Sequence, residues 1–591
     1  MNKFVSSLLG AFVGTWIAFF LMGIFIFFVG IMIITSASLS SVSIEVKDNS
    51  ILRIDLSGSI TDKPYNKTLQ DILEGSSDDG NSLHEILAAI DNASTDDRIK
   101  GIYLRCDAAN TGMATASAIR KALSDFKKES GKWIYAYGHS YSQLDYYIAS
   151  VADSLFINPS GMLDIHGLTA TTMYYKELLD KIGVDVQIVK VGTFKSATEP
   201  FSQTSMSEAN RLQSQTYLNN MWSVLRDDIA KSRKIKADAI TEYADSLYMF
   251  RQPTLAKEKG FIDGICYEHQ FESKLHRKIG IANDEELNLI SASQFANAMF
   301  IEESPADNRI AVLYAEGEIN TTGDEYSINS EEIVPQIIEL ADDPAIKGMV
   351  LRVNSPGGSA YASEQIWEAL EYFKSKKKPL AVSMGDYAAS GGYYISCGAD
   401  RIFAEPTTIT GSIGIFGMIP TVKTLLNDKI GITTDYVSTT PNANLTIFEP
   451  LTSTQLNAIQ QNVNQGYELF VSRCAKGRKV SSDSIKSIAE GRVWDGGNAL
   501  KIGLIDQFGG ISEAVSWVAQ KAKLTQTDYT IDYFPEYTPD IINLIYNSLG
   551  SSIQSKHLYF NGEDITNTIN RIQKILDTDR IQCRMENIYI R

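Results

Sequence analysis

The chain repeats itself, and this repeat constrains the architecture more than any other feature of the sequence. Residues 100–105 read Lys-Gly-Ile-Tyr-Leu-Arg, and residues 347–352 read Lys-Gly-Met-Val-Leu-Arg. The offset of 247 residues (347 minus 100) holds without a gap as far as Ala152-Asp153, which matches Ala399-Asp400. A repeat of this length corresponds to a whole domain rather than to a short solenoid unit. We therefore expect two homologous halves.

The repeat and the two ends of the chain together predict four segments. These are a membrane anchor with its linker at residues 1–47, a first repeat at 48–300, a second repeat at 301–530 and a C-terminal extension at 531–591. The length of 591 residues supports this division, because a single hydrophobic core rarely serves more than about 250–300 residues.

Each half alternates between strand-like and helix-like patterns. Residues 348–353 form a short apolar run that is typical of a buried strand, and residues 379–384 form another. Between them, residues 363–373 place their apolar side chains on one helical face. This order predicts an α/β fold with mainly parallel strands. In such folds ligands bind at the carboxyl ends of the strands.

The N-terminal segment is predicted to be a membrane anchor. No charged residue lies between Lys3 and Glu45, and residues 8–34 are almost wholly apolar, which exceeds the ~20 residues that span a bilayer as a helix. The small residues 36–38 would suit a cleaved signal peptide, but the apolar region of such a peptide is only about 7–15 residues long. Lys3 favours a cytoplasmic N-terminus. We therefore expect a single-pass protein of the inner (plasma) membrane, with its body on the extracytoplasmic (periplasmic) side.

Charge and cysteine usage exclude several classes of protein. A formal net charge of −17 argues against a nucleic-acid-binding protein, which would carry a basic face. The five cysteines are scattered and form no Cys-x-x-Cys pair, and the six histidines show no metal-ligand spacing. We therefore expect neither a metal nor another cofactor.

Two glycine-containing segments follow the predicted strands of the second half. Residues 354–359 read Asn-Ser-Pro-Gly-Gly-Ser, which is either an ordinary turn or a source of backbone N–H donors for an oxyanion. Residues 388–393 read Ala-Ala-Ser-Gly-Gly-Tyr, in which Ser390 is either a helix N-cap or a nucleophile. Together the segments would place a serine hydroxyl among backbone donors, as acyl transfer requires.

A serine nucleophile needs a base, and the residues alone do not select one. Neither glycine segment contains a histidine, and His139 and His166 of the first half are most simply interpreted as ordinary surface or core residues. A lysine whose pKa is lowered by burial is the alternative. The chain contains many lysines, most of which are expected to be solvated.

The sequence resembles the signal peptide peptidase A family in its long, tandem-repeat form. The resemblance is carried by residues 354–358, 388–392, 410–417 and 191–201. It implies a Clp-protease-like, crotonase-related fold in each half. It also implies that Ser390 is the nucleophile, that Lys195 is its base and that Ser412 lies near this lysine. The N–H groups of Gly358 and Gly391 would hold the oxyanion.

The same resemblance implies the activity. The chain would be a membrane-anchored serine endopeptidase that degrades cleaved signal peptides and other short hydrophobic peptides, assembled as a homotetramer. Two other functions stay open on the sequence alone. One is a crotonase-like acyl-CoA enzyme, whose fold also uses paired glycine donors. The other is an inactive membrane scaffold that binds peptides.

The two repeats have lost complementary residues. At the offset of 247, Ser390 aligns with Gln143, and Gly357-Gly358 aligns with Asn110-Thr111. Opposite Lys195 the second half reads Pro-Asn-Ala at residues 441–443, without a lysine. If the lysine implied by the resemblance is correct, the two halves share one catalytic pair. Lys190 is the alternative base.

Overall fold

The computed structural model describes residues 14–16, 19–23, 46–63, 82–302, 307–323, 326–525, 527–535, 559–560, 563–564, 581–585 and 589–590. Most of the predicted anchor, residues 8–34, lies outside the described residues. Within these ranges no helix is both long and apolar enough to cross a bilayer.

The first half is built on a six-stranded sheet in which every neighbouring pair of strands is parallel. In order across the sheet, its strands are Gly264–Ile265, Ser154–Ile157, Trp133–Gly138, Ile99–Asn110, Ser50–Ser59 and Leu289–Ser291.

The second half repeats this arrangement. Its strands, in the same order, are Gln507–Phe508, Arg401–Ala404, Leu380–Ala389, Ile346–Ser355, Asn308–Glu316 and Tyr529–Phe534. Ile409–Gly411 also pairs with the end of Leu380–Ala389, and Val493–Asp495 pairs antiparallel with Ile409–Gly411. The predicted boundary at residue 530 falls within the strand Tyr529–Phe534, which pairs with Asn308–Glu316.

The central strands of the second half are buried on both faces. Leu351 and Val382 belong to the core cluster on one face, whereas their neighbours Val350 and Ala381 belong to the cluster on the other. Strands that are covered on both sides need apolar residues at every position, which explains why they read as continuous apolar runs. The α/β fold with mainly parallel strands is thus confirmed.

Helices cover the faces of these sheets. In the first half they are Leu83–Thr95, Met113–Ser130, Gln143–Ala149, Lys176–Ile182, Glu199–Ser202, Glu208–Arg233, Ala237–Asp245, Pro253–Glu258, Glu268–Ile279 and Ala292–Glu302. In the second half they are Ser330–Asp342, Ala360–Ser375, Gly391–Ser396, Ser453–Arg478, Ser482–Ile488, Gly496–Lys501 and Ile511–Ala522. Capping side chains stabilise the first turns of several of these helices. Ser82 caps Leu83–Thr95, and Thr452 forms a capping box with Gln455.

A third sheet joins the two halves. Its strands, in order, are Ser327–Asn329, Glu318–Asn320, Gly357–Ser359, Ile581–Arg584, Phe416–Thr421 and Asp185–Lys190. Asp185–Lys190 comes from the first half and pairs antiparallel with Phe416–Thr421 of the second. Ile581–Arg584 comes from the C-terminal extension. Backbone hydrogen bonds therefore hold three parts of the chain in one layer.

A buried carboxylate also ties the halves together. Helix Met113–Ser130 begins after Gly112, which has no side chain with which to cap it. Asp386 of the second half supplies the cap, because its carboxylate accepts the N–H groups of Ala114 (2.7 Å) and Thr115 (3.1 Å). A Cβ on Gly112 would lie 2.0 Å from the Asp386 Cγ, so only glycine allows this approach.

A buried ion pair forms the second such connection. The Arg352 guanidinium donates to both carboxylate oxygens of Asp62, at 3.1 and 2.9 Å. The two side chains are only 4% and 1% exposed. Arg352 also donates to Ser383 Oγ and to the carbonyl of Met384, so all three guanidinium nitrogens donate hydrogen bonds. The pair joins residue 62 of the first half to the central sheet of the second.

We expect Arg352→Met to lower the free energy of unfolding by about 3–5 kcal/mol, since the Asp62 carboxylate would stay buried without its partner. The measurement is urea denaturation of the full chain. The double variant Asp62→Leu/Arg352→Met should recover most of the loss, because neither charge remains. Lys259→Met, which removes an exposed pair with Glu242, is the matched control and should hardly move the urea midpoint. An unchanged midpoint in Arg352→Met would contradict the expectation.

Candidate active site

Ser390 lies where the strand Leu380–Ala389 ends and the helix Gly391–Ser396 begins. Its φ of 56° and ψ of −111° are unusual for a residue with a side chain, which marks a strained strand-to-helix turn. Its backbone N–H donates to the carbonyl of Gly411, at 2.8 Å. Although Ser390 occupies the N-cap position, its side chain makes no capping hydrogen bond. Its hydroxyl is therefore left for another partner.

That partner is Lys195. The Lys195 Nζ lies 2.6 Å from the Ser390 Oγ, and both side chains are buried. Lys195 comes from the loop between the strand Asp185–Lys190 and the helix Glu199–Ser202. The two residues are 195 positions apart in the chain and belong to different halves. The structure thus brings together the two residues that the sequence predicted as a shared pair.

Glycines of the second half make room for the lysine side chain. A Cβ on Gly491 would lie 2.6 Å from the Lys195 Cβ, and a Cβ on Gly414 would lie 3.3 Å from its Cδ. The loop is held by backbone hydrogen bonds, since Val191 donates to Ile415 and Phe194 donates to Glu490. The lysine therefore enters a slot lined by backbone.

Ser412 completes the surroundings of the amine. Its Oγ and its carbonyl oxygen each lie 3.1 Å from the Lys195 Nζ. Ser412 has a φ of 52°, and its own N–H donates to the carbonyl of Arg492 at 2.7 Å. This conformation turns both of its oxygens toward the same nitrogen. The third predicted residue is thus at the site as well.

The two glycine segments meet beside Ser390. Gly357 has a φ of +101°, which glycine adopts far more readily than other residues. A Cβ built on Gly357 would lie 2.7 Å from the Gly391 backbone nitrogen, so the segments are in backbone contact. Gly358 directly follows Gly357, and Gly391 directly follows Ser390. Both predicted oxyanion donors therefore lie at this junction.

Comparison with known proteins identifies the family. Residues 126–282 and 372–525 match peptidase family S49, and residues 302–409 match the Clp protease family. The chain belongs to peptidase family S49. It is therefore a serine protease, it contains two S49 regions, and its fold includes a Clp-protease-like domain. The family resemblance read from the sequence motifs is confirmed.

Curated relatives match either most of this S49 chain or a part of it. Protease 4 of Haemophilus influenzae is 35% identical over 510 residues, which is 84% of this chain and 82% of the relative. Protease 4 of Salmonella typhi is 36% identical over 524 residues, 85% of this chain and 83% of the relative. The putative signal peptide peptidase SppA of Enterococcus faecium is 34% identical over 259 residues, 43% of this chain and 74% of the relative.

Burial sets the electrostatics of the candidate site. Desolvation lowers the pKa of Lys195 to about 8, because the charged amine is held away from water, and the nearby Cys583 thiol opposes this only in part. Within the described residues no carboxylate forms an ion pair with this lysine. Its amine is therefore neutral in an appreciable fraction of molecules near neutral pH, and a neutral amine at 2.6 Å can accept the proton of a serine hydroxyl.

The other candidates from the sequence make different contacts. Gln143, which aligns with Ser390, binds backbone instead: its Oε1 accepts the N–H groups of His166 and Gly167, and its Nε2 donates to Gly167. His139 lies near Glu268 and His166 near Asp164. Lys190 ends the strand opposite Phe416.

Sequence reasoning missed two residues at the site. Gln213 donates to the carbonyl of Phe194 at 3.2 Å and accepts the N–H of Val493 at 3.0 Å, so it bridges the lysine loop to the second half. Cys583 of the C-terminal extension lies with its Sγ 3.2 Å from the Ser390 Oγ. Neither stands in a recognisable motif. Only the tertiary structure brings these two residues to the site.

We expect the rate at which a fluorophosphonate labels Ser390 to rise with pH and to level off above about 8. Only the neutral Lys195 amine can accept the serine proton, and its fraction falls about tenfold per pH unit below the pKa. The measurement is the second-order rate of labelling of the full chain between about pH 5.5 and 10, in steps of about half a pH unit. Each rate is corrected for hydrolysis of the reagent in buffer. A flat profile would exclude Lys195 as the base.

Proposed function

We propose that this S49 protease hydrolyses peptides with a Ser390–Lys195 dyad that its two halves share. The observation that carries the proposal is the 2.6 Å contact between the lysine amine and the serine hydroxyl in a buried site. In the first step Lys195 takes the proton from Ser390, whose oxygen attacks the peptide carbonyl. Lys195 then protonates the leaving amine, and it later activates the water that hydrolyses the acyl-enzyme.

Ser412 orients the base. A neutral amine has two N–H donors and one lone pair. If the two N–H groups donate to the Oγ and the carbonyl of Ser412, the lone pair is left for the hydroxyl of Ser390. The serine therefore selects the rotamer of the amine in which proton transfer is productive.

The glycine junction stabilises the negative charge that develops on the substrate carbonyl. The N–H groups of Gly358 and Gly391 are backbone donors in a site from which solvent is excluded, and such donors need no rearrangement during the reaction. Losing one donor of this kind typically costs about 10²–10³ in kcat. Glycine at these positions is needed because the Cα atoms lie against neighbouring backbone.

Each repeat supplies a different part of the proposed site. The first repeat, residues 48–300, supplies the lysine base, and the second, residues 301–530, supplies the nucleophile and the oxyanion donors. The third sheet supports this arrangement, since the strand that leads into the lysine loop pairs with Phe416–Thr421 of the second repeat. One complete site per chain results.

The proposed substrates are cleaved signal peptides and other short hydrophobic peptides. A cavity of about 600 Å³ lies beside the site, and its large apolar side chains include Tyr361, Tyr394, Ile415 and Leu469. Such a cavity favours apolar substrate side chains. One relative carries the name signal peptide peptidase, which supports the same class. The apolar residues 8–34 would anchor the chain in the inner membrane, with its body in the periplasm, as one subunit of a homotetramer.

We expect Ser390→Ala and Lys195→Ala each to lower kcat for a hydrophobic peptide by about 10³-fold or more, and the double variant to be hardly worse, because the two residues act as one unit. Gln143→Ala and Lys190→Ala are matched controls and should stay near the wild-type rate. Mixing the two inactive single variants should restore nothing, since the pair lies within one chain. Substantial turnover by a folded Lys195→Ala chain would transfer the role of base to Lys190.

The anchor and its orientation can be tested separately. A reporter that is active only outside the cytoplasm, fused after Arg591, should be active in cells, because residues 8–34 would carry the body across the membrane. The same fusion without residues 1–47 is the control and should be inactive. Activity of a cytoplasm-only reporter at the same position would refute this topology.

A further inference from the structure

A cavity of about 270 Å³ lies between the two halves of the chain, and the residues of the dyad are not part of its lining. The helices Leu83–Thr95 and Met113–Ser130 of the first half line it on one side. Glu405 and the start of the helix Ile511–Ala522 of the second half line it on the other. Pockets for drug-sized ligands measure about 300–1,000 Å³, so this cavity suits a smaller ligand.

The lining of the cavity is both apolar and acidic. Its apolar side chains include Leu87, Ile90, Phe126 and Ile511. Five carboxylates also line it, and among the described lining residues Lys121 is the single basic side chain. Apolar walls that carry several carboxylates favour a ligand that is positively charged and partly aliphatic.

Lys121 shows that an aliphatic ammonium group fits this lining. Its Nζ lies 2.7 Å from a carboxylate oxygen of Asp125 in the first half. It lies 2.7 Å from a carboxylate oxygen of Glu513 in the second half as well. An ammonium on a methylene stem thus already joins two of the five carboxylates across the division between the halves.

The three other carboxylates, those of Asp91, Glu129 and Glu405, form no ion pair with the described residues and accept no hydrogen bond from them. Glu405 decides the interpretation, because it is only 7% exposed. A carboxylate that is buried without a partner is costly, and charged side chains are almost never fully buried unless they are paired. A cation bound beside Glu405 would offset this cost.

The ionisation of Glu405 depends on the same surroundings. Burial raises the pKa of its carboxyl to about 7, with further increases from Glu513 and Asp228 and opposing effects from Arg352 and Lys121. A positively charged ligand beside Glu405 would favour its ionised form. Binding of a cation and release of the Glu405 proton are therefore coupled.

The positions of the three carboxylates indicate the shape of the cation. Glu405 is buried, whereas Asp91 and Glu129 are exposed, so the negative charges lie at different depths. Within the part of the chain that the structure describes, no three side chains of the metal-ligating types are grouped closely enough to hold a metal ion. An elongated organic cation with more than one ammonium group matches this spread of charge better than a single ion does.

We propose that the cavity binds a linear aliphatic diamine or polyamine. One ammonium group lies beside Glu405 of the second half, and another lies beside Asp91 and Glu129 of the first half. The methylene groups between them contact the apolar part of the lining. Because such a ligand bridges the halves, it stabilises the docked arrangement in which Lys195 is buried.

Binding is measured by isothermal titration calorimetry of the full chain with 1,4-diaminobutane and with spermidine, at physiological ionic strength. Both should bind at one site per chain. Butylamine, which has a single ammonium group, should bind at least about tenfold more weakly, since it lacks one charge-assisted contact. Absence of saturable binding would overturn the proposal. Displacement of the diamine by calcium chloride at equal ionic strength would indicate a metal site and would overturn it as well.

Glu405→Gln keeps the shape of the side chain and removes its charge, and it should raise the Kd for 1,4-diaminobutane at least about tenfold. Asp91→Asn should weaken binding in the same direction, and it serves as the second variant if the first is poorly folded. Glu286→Gln is the matched control, because it makes the same charge change at an exposed residue outside the lining. Wild-type affinity in both cavity variants would mean general attraction to a chain of net charge −17 and would refute the site.

Proton release gives a readout that belongs to Glu405. At about pH 6, below the raised pKa, binding of 1,4-diaminobutane should release protons to the buffer, because the bound ammonium favours the ionised carboxylate. Calorimetry in two buffers of different ionisation enthalpy measures this release, which Glu405→Gln should abolish. Equal release by the wild type and the variant would remove Glu405 from the site. None of these measurements depends on peptide hydrolysis, so their outcome is separate from that of the proposed dyad.

Discussion

The site depends on keeping one lysine amine buried and uncharged beside a serine hydroxyl. Burial lowers the pKa of Lys195 to about 8 from the ordinary 10.5. Because the folded-state pKa is the lower one, the penalty is fully present below about pH 8 and fades as the pH rises toward the unfolded value, and at neutral pH it costs about 3 kcal/mol of stability. The rest of the fold must supply this free energy and must still leave the amine without a carboxylate partner.

The contacts between the halves meet that requirement. Lys195 enters a slot that glycine backbone of the other half provides, so the lysine is buried only when the halves are docked. The shared sheet, the Asp386 cap on a first-half helix and the Arg352–Asp62 ion pair all act across the same division. The Arg352–Asp62 contact is a buried ion pair, which is stable only while both partners stay in place. The contact between the halves and the proposed chemistry are therefore coupled, because the same contact buries Lys195 and lowers its pKa.

The duplicated architecture explains how a serine–lysine pair can be divided. Both sheets have the same strand order, so the carboxyl end of the strand Trp133–Gly138 corresponds to that of Leu380–Ala389. In the second half this end is followed by Ser390, and in the first by Gln143, whose side chain holds neighbouring backbone. The same position thus carries the proposed nucleophile in one copy and a structural support in the other. The C-terminal strand Ile581–Arg584 then completes the third sheet beside Ser390.

Local pattern and internal repetition alone determined the α/β class, the tandem halves and the loop that carries Ser390. These features depend on residues that are close in sequence or on the match at a fixed offset. The strand predicted at 379–384 is longer in the structure and reaches Ala389, because its last three residues, 387–389, pair with Ile409–Gly411. Which lysine serves as base was indicated only by family resemblance, since nothing near Lys195 in the sequence distinguishes it from other lysines.

Tertiary structure decided the remainder. The 2.6 Å contact between Lys195 and Ser390 joins residues 195 positions apart. The pKa of Lys195 is lowered because the second half of the chain buries its side chain, and the residues next to Lys195 in the sequence give no sign of this burial. The strand Ile581–Arg584 had no place in the sequence-based prediction, because its partners Gly357–Ser359 and Phe416–Thr421 lie more than a hundred residues away. Pairing and burial of this kind depend on the folded path of the whole chain, and no local sequence pattern encodes that path.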